Sequence, residues 1–347
     1  IEKKETAQIF ASKIKEVNQF IPSFSQGDRT RSFLKIQDGC DYFCSFCTIP
    51  LARGKSRNNS IGETIKVAQE IATTNIKEVV LTGVNIGDFG QGKGKEDFHQ
   101  LVVELNKVEG INRYRISSIE PNLLTNATID FVALSTKFMP HFHIPLQSGS
   151  NKLLKMMRRK YEKELFADRV YRIKEKMPHA CIGVDVIVGF PDETNDDFLE
   201  TYQFLNELPI SYLHVFTYSE RQNTTAVKLE NPVPKEVRSD RSKMLHILSE
   251  KKKRFFYEQH LHKTYNVLLE SEQHDGFLNG FTENYIKVKV PYDSTLENTI
   301  QSIKLIAIDN ENTMIGELVD GRQKLEAGIV RRHSPLEGSW RGDVLER

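Results

Sequence analysis

Three of the four cysteines in this 347-residue chain fall within eight positions, as Cys40, Cys44 and Cys47. They form a Cys-x3-Cys-x2-Cys run with Phe46 just before the last thiol. Thiolates are soft ligands suited to iron–sulfur clusters and zinc. A closed structural zinc site needs four Cys or His ligands. The remaining cysteine, Cys181, is remote in sequence and the first histidine is His99, so no such site closes locally. Three cysteines instead suit a four-iron cluster with one iron left open, since complete protein ligation takes four. The plainer alternative is a buried structural thiol cluster.

Few cysteines, three of them clustered, argue against a secreted disulfide framework and for a reducing cytosol. No apolar run approaches the roughly 18 residues of a membrane span, and Ile-Glu-Lys-Lys-Glu at the start has no signal-peptide core. The expectation is a cytoplasmic protein without a membrane partner. The formal net charge is only +1, so the total says nothing about nucleic acid and its distribution must.

Ile9, Ile14 and Val17 fall on one helical face within 3–19, and residues 22–31 read as a loop. From residue 33, strand and helix patterns alternate. Strands are expected at Phe33–Gln37, Glu78–Thr82, Arg113–Ser117, His141–Leu146, Cys181–Phe190 and Tyr212–Tyr218. Helices are expected at Gly62–Thr73, Phe98–Val108, Leu123–Ser135, between Asn151 and Lys176, and at Asp196–Glu207. Such alternation implies parallel βαβ units, and six of them are too few for a closed eight-fold barrel. A long helix follows over Lys235–His262. Lys235 to Lys263 holds nine Lys/Arg against four acids. Its run Lys251-Lys252-Lys253-Arg254, then Phe255, Phe256 and Tyr257, is either an RNA-facing surface or a solvated helix face. Residues 264–320 read as all-β, with strands at Tyr265–Glu270, Gly280–Phe281, Tyr285–Val290 and Ile303–Ile308. Ten acids against three lysines there give a net charge of −7. RNA contact by this part would therefore rest on stacking by Phe277, Phe281 or Tyr285 or on a few local lysines, the alternative being a spacer or a contact with another domain. Residues 321–347, with the single Trp340, show no periodicity and read as a disordered or appended tail.

The cysteine run with its aromatic resembles the cluster loop of radical S-adenosylmethionine (SAM) enzymes. The longer string Lys35 to Arg57 resembles their methylthiotransferase branch. Four further segments support this. They are Leu81-Thr82-Gly83-Val84-Asn85-Ile86-Gly87, Ser117-Ser118-Ile119-Glu120-Pro121, His141 to Ser150 with Arg158-Arg159, and Gly183 to Thr194 ending Gly-Phe-Pro-Asp-Glu-Thr. His214 to Ala226 looks like the branch acting on threonylcarbamoyladenosine in tRNA.

The resemblance implies a partial (β/α)6 radical SAM barrel over 33–222 and a basic helical linker over 223–263. A small OB-like TRAM barrel over 264–320 follows. Residues 1–32 would be the remnant of a missing N-terminal domain that in relatives carries three more cysteines and a second [4Fe-4S] cluster. No cysteine precedes Cys40.

Cys40, Cys44 and Cys47 would bind a [4Fe-4S] cluster whose open iron is chelated by SAM, and reductive cleavage would yield a 5′-deoxyadenosyl radical. Phe46 and Val188 would pack against the adenine, and Thr82 and Gly83 would meet the SAM amino group. Ser118 or Glu120 would take the ribose hydroxyls or the ammonium, unless Ser118 or Asn122 caps a helix. Gln147 and Ser148 would lie at the mouth, and Arg159 would fork to the SAM carboxylate. Arg53, Lys55, Arg57, Lys252, Lys253 and Arg254 would meet tRNA phosphates. The alternating His141 and His143 read as packing residues, with no other ligand nearby, and Cys181 as a small core residue.

The implied activity is methylthiolation at C2 of N6-threonylcarbamoyladenosine at position 37 of tRNA. A flavodoxin-like or ferredoxin-like reductant would supply electrons. The alternatives are the same chemistry on a ribosomal-protein aspartate, or an RNA-binding module with a structural cluster.

Overall fold

A computed structural model describes residues 14–17, 19–25, 30–90 and 96–319. The tail with Trp340 and most of the expected N-terminal helix lie outside these residues. Ile14–Glu16 form one 3-10 turn.

Strands β1 (Ser23–Phe24) and β2 (Arg31–Lys35) lead into the cysteine loop and a short helix α1 (Ile49–Arg53). Then come α2 (Ile61–Ala72), β3 (Glu78–Thr82), α3 (Phe98–Asn106), β4 (Arg113–Ile116) and α4 (Asn126–Leu134). Next are β5 (His141–Gln147), α5 (Asn151–Met156), α6 (Lys163–Lys176), β6 (Cys181–Val188), α7 (Asn195–Glu207) and β7 (Tyr212–Thr217).

The helices start where local chemistry supplies caps. Ser60 with Glu63, Asp97 with Gln100 and Thr194 with Asp197 form reciprocal capping boxes. Thr125 caps α4, so neither Ser118 nor Asn122 is its cap. The helices expected between Asn151 and Lys176 are two, separated just beyond α5 where Arg158 takes φ 59.

All six expected strands of the first part form, and they run parallel as two sheets. One is β2–β3–β4 with β1 antiparallel at its edge, and the other is β5–β6–β7. At the β4/β5 seam only isolated bridges join them, Tyr114 to Phe138 and Ser118 to His143. A core of Leu34, Leu81, Ile116, Ile144, Val184 and Val186 fills the space between strands and helices. In parallel sheets of this kind ligands bind beyond the carboxyl ends of the strands.

Helix α8 (Lys235–Glu258) packs along β7 and leads to β8 (Thr264–His274), β9 (Phe277–Thr282), β10 (Lys287–Pro291), β11 (Ile300–Ile308) and β12 (Met314–Leu318). These five strands close into a barrel ordered β10-β12-β11-β8-β9. Strand β12 was not expected from the sequence. Gly316 makes room for it, since a Cβ there would lie 2.4 Å from Ile303.

The small barrel docks on the amino ends of β2 to β6 through one acidic side chain, Glu270, and several backbone carbonyls. Arg31 pairs with Glu270, Arg113 donates to the Asn266 carbonyl at 2.8 Å, and Arg115 donates to the Glu283 carbonyl at 3.3 Å. Phe281 and Tyr285, expected to stack on RNA, are instead spent here. Arg31 lies over Phe281 at 4.8 Å, and Tyr285 stacks on His141 at 4.2 Å. Phe277 lies under Lys289, whose ammonium is 5.0 Å from its ring.

His260 joins α8 to this barrel, its Nδ1 2.6 Å from the Tyr265 hydroxyl and its ring 4.6 Å from Phe256. Burial, reinforced by Lys263, Lys174 and His179, pushes its pKa from 6.5 down to about 4. The unfolded chain then binds more protons than the folded one between those values, so stability falls as pH drops through that window. His260→Asn is expected to flatten this fall, measured as the urea midpoint between pH 7 and 4. An unchanged slope would remove His260 from the acid sensitivity.

Candidate functional site

The cysteine loop leaves the carboxyl end of β2 and is held by its own neighbours. Asp38 accepts from the Gly39 amide at 2.9 Å and from Arg57 at 3.0 Å, and Cys40 N donates to the Gly54 carbonyl at 3.0 Å. Gly39 has φ +74, and a Cβ there would sit 2.0 Å from the Lys55 carbonyl oxygen, so the position demands glycine. Gln37 ties this loop to the next. Its amide donates to the Gly39 carbonyl at 2.8 Å, and its oxygen accepts from the amides of Val84 and Asn85.

All three loop cysteines are half-buried free thiols. Polar hydrogens point at each sulfur: Tyr42 N at 3.5 Å from Cys40, Arg159 Nη1 at 3.2 Å from Cys44, and Ile49 N at 3.4 Å from Cys47. Burial pushes the Cys40 thiol up to about 12 and raises that of Cys44 despite Arg159. A site that disfavours bare thiolates yet presents hydrogens to their sulfurs suits a soft, positively charged metal centre. Cys181 differs: it is 2% exposed, packs in the cluster that includes Phe256 and Tyr257, and its thiol is pushed to about 12 by burial.

Arg159 and Glu120 meet beside the cysteines and pair with each other. Arg159 also donates to the Tyr161 hydroxyl at 3.0 Å, and that hydroxyl donates to the Pro145 carbonyl at 2.7 Å. Burial raises the Glu120 carboxyl, with Arg159 opposing it. The guanidinium is therefore already committed to Glu120 and Cys44. Ser118 is half-buried at the seam, Thr82 ends β3 and Gly83 follows it. A Cβ on Gly83 would approach the Gln37 carbonyl to 2.9 Å.

A cavity of about 360 Å³ opens beside Cys47, lined by Phe46, Gln147, Ile187, Phe216 and Tyr218 among others. Gln147 reaches it from a left-handed backbone, φ 69, at a β-bulge in β5. Two expected residues do not. Val188 is fully buried in the core under the helices, because side chains alternate along a strand. Ile187 takes the cavity side in its place. Ser148 is also fully buried, its hydroxyl 3.2 Å from that of Thr201 and accepting from the Ser150 amide at 3.2 Å, so it braces a turn below the mouth.

The expected phosphate contacts divide similarly. Arg53 and Lys55 are exposed. Arg57 is consumed by the loop, donating to the carbonyls of Gln19, Arg53 and Lys55 besides Asp38. Lys252 donates to the carbonyls of Asn206 and Leu208 at the end of α7. Arg254 is exposed but paired with Glu258 at 2.7 Å. Lys253 lines a second, inner cavity.

Sequence reasoning missed Asp88, whose carboxyl burial lifts to about 6 and which accepts from Asn85 at 2.9 Å. It also missed the partners of His143. Asp185 and His214, distant in sequence, bring ligand-capable atoms within 4.8 Å of one another and of His143. The alternation of His141 with His143 was the local signal, and parallel pairing of β5, β6 and β7 brings Asp185 and His214 to it.

Among family models, that of the radical SAM superfamily matches residues 34–205. The chain is 41% identical over 292 residues to the threonylcarbamoyladenosine tRNA methylthiotransferase MtaB of Bacillus subtilis, covering 82% of this chain and 64% of that protein. It is 41% identical over 259 residues to the protein of the same description from Aquifex aeolicus, covering 75% and 62%. It is 33% identical over 295 residues to the tRNA-2-methylthio-N(6)-dimethylallyladenosine synthase of Alkaliphilus oremlandii, covering 84% and 59%. The chain thus spans less than two thirds of the length of these curated relatives.

Proposed function

The chain belongs to the radical SAM superfamily through residues 34–205, and on that premise we propose that it is the radical-domain portion of a tRNA methylthiotransferase. The substrate is N6-threonylcarbamoyladenosine at position 37, methylthiolated at C2. The observation that carries the reading is the cysteine loop with Arg159 donating to Cys44 while pairing with Glu120 at the strand ends.

Cys40, Cys44 and Cys47 are the residues that would hold a [4Fe-4S] cluster. When bound, the cluster and SAM supply hydrogen abstraction from a carbon that no side-chain base could deprotonate. The protein's own part is binding and exclusion of water. Phe46 and Ile187 give an apolar wall for the adenine of SAM, and Gln147 offers a polar group at the mouth. Thr82 and Gly83 offer backbone at the close approach held by Gln37. Arg159 orients Glu120 for the polar end of SAM, and the exposed Lys55, with Arg53 beside it on a 3.8 Å pair to Asp38, faces tRNA phosphate.

The organisation belongs to the same proposal. It has a partial (β/α)6 radical SAM barrel over 33–222, a linker over 223–263 and a TRAM-like barrel over 264–320. The TRAM-like barrel acts as a docked floor rather than the main RNA surface. The cytoplasm, where tRNA and a flavodoxin-like or ferredoxin-like reductant are found, is the proposed compartment. No helix among the described residues is long and apolar enough to cross a membrane.

The test is nucleoside mass analysis of tRNA from cells in which the encoding gene is deleted. The methylthiolated nucleoside is expected to vanish and its N6-threonylcarbamoyladenosine precursor to accumulate. Unchanged tRNA together with loss of a methylthio group from a ribosomal protein would overturn the tRNA assignment.

A further inference from the structure

Inside the two parallel sheets, below the cavity beside Cys47, lies a larger one of about 600 Å³. Its wall on β5 and β7 is polar. His143 Nε2 is 2.7 Å and His214 Nδ1 is 3.3 Å from the same oxygen of Asp185. Burial would raise the Asp185 carboxyl, but the two imidazoles outweigh it and bring it down to about 2. Each ring is thereby oriented through one nitrogen. Neither Nδ1 of His143 nor Nε2 of His214 has a protein hydrogen-bond partner among the described residues.

Lys253 borders the same cavity from α8, and it makes no ion pair among the described residues. Of the other cations that line it, Arg31 and Arg115 are spent on Glu270 and Glu78, while Lys287 makes no ion pair among the described residues, and Glu250 is the one acid on the lining. Tyr285 and Phe281 from the small barrel also line the cavity.

The two cavities are stacked along the same strands. Asp185 pairs in register with His214, and Ile187 with Phe216, two residues nearer the carboxyl ends. Two residues along a strand advance about 6.6 Å and return to the same face. A planar base resting against Phe216, beside the SAM adenine on Ile187, would therefore send a substituent of several atoms down to the histidine layer. Such a substituent meets hydrogen-bonding nitrogens first and an unpaired ammonium beyond.

We propose that this inner cavity receives the polar, carboxylate-bearing N6 substituent of the target adenosine, with His143 and His214 hydrogen-bonding it and Lys253 pairing with its carboxylate. The inference rests on the tRNA reading above. Asp185 acts as a positioning residue, fixing both rings so that one nitrogen of each stays available to the ligand. Lys253 sets the preference for an acid over a neutral group, since a charge-assisted hydrogen bond is an appreciable share of a binding energy.

The experiment is fluorescence anisotropy of the cluster-reconstituted chain with three anticodon stem-loops. They carry N6-threonylcarbamoyladenosine, its carboxylate methyl ester, or plain adenosine at the target position. The wild-type protein is expected to bind the acid about tenfold more tightly than the ester. Lys253→Met is expected to erase that preference, and His214→Ala to weaken both modified stem-loops while leaving the plain one unchanged. Iron content and thermal midpoint matching the wild type qualify each variant; Lys253 is half-buried over the Tyr257 ring at 5.6 Å, a contact the apolar Met side chain keeps in part.

Preference for the acid that survives undiminished in Lys253→Met, or absence of any preference in the wild type, overturns the inference and leaves the tRNA reading standing. Equal binding of all three stem-loops by the wild-type protein overturns the threonylcarbamoyl reading itself, and the inference with it.

Discussion

Cys44→Ala is expected to strip the chain of its iron and to abolish SAM cleavage. After anaerobic reconstitution with iron and sulfide, the wild-type chain should carry a four-iron cluster and release 5′-deoxyadenosine when given SAM and dithionite. The variant should hold little iron and release none. Removing a group that only supports a metal ligand costs roughly 10–100-fold in affinity or activity, and a ligand itself should cost more. No other thiol can substitute, because Cys181 is 2% exposed and packed in the cluster that includes Tyr257. The loop should survive the change, since Asp38, Gly39 and Gln37 hold its backbone without using any sulfur. The far-UV spectrum of the variant should therefore match the wild type. Full iron loading and undiminished 5′-deoxyadenosine from Cys44→Ala would dismiss Cys44 as a ligand and reopen the structural-thiol alternative.

How much of this arrangement was legible beforehand depended on the range of the interaction. Strand-like runs of four to eight residues alternating with helical periodicity identified β2 to β7, most clearly β3 and β6, which are buried on both faces. The cysteine spacing is a local signal too, and it marked the loop that leaves β2. The failures are long-range. Val188 and Ile187 are equally apolar in sequence, and only the facing of β6 decides which one lines the cavity. Arg57 and Lys252 look like free cations until backbone carbonyls as distant as Gln19 and Asn206 are brought beside them. The same holds for the acidic surplus after residue 264. It reads as an obstacle to RNA binding when taken alone, and at least Glu270 is accounted for once Arg31 is brought beside it, while Arg113 and Arg115 meet backbone carbonyls of the same barrel. His143 carried a recognisable alternation with His141, but Asp185 and His214 joined it only through parallel pairing across β5, β6 and β7.

Arg115→Met is expected to lower the unfolding free energy by about 3–5 kcal/mol, the range for removing one partner of a buried ion pair. Arg115 and Glu78 are 3% and 1% exposed, joined by two bonds of 3.1 and 2.9 Å from Nε and Nη2. The same guanidinium lies 4.8 Å over the Tyr285 ring, so its loss also loosens the small barrel. Most of the cost is the carboxylate left behind. Burial would raise the Glu78 carboxyl, but Arg115, followed by Arg31 and Arg113, holds it below its usual value. In the wild type that depressed pKa contributes stability above the ordinary carboxylate range, which is lost as pH falls through the folded value. In Arg115→Met the sign reverses, because the stranded carboxylate is relieved by taking up a proton. The deficit measured by urea unfolding should therefore shrink between pH 7 and pH 5. The double replacement Glu78→Gln with Arg115→Met should cost less than the sum of the two single changes, since it strands no charge. A deficit within about 0.5 kcal/mol, as expected for an exposed pair such as Lys107 with Glu104, would mean that water reaches Glu78. The Arg-lined junction would then be a wet contact rather than a sealed floor beneath the inner cavity.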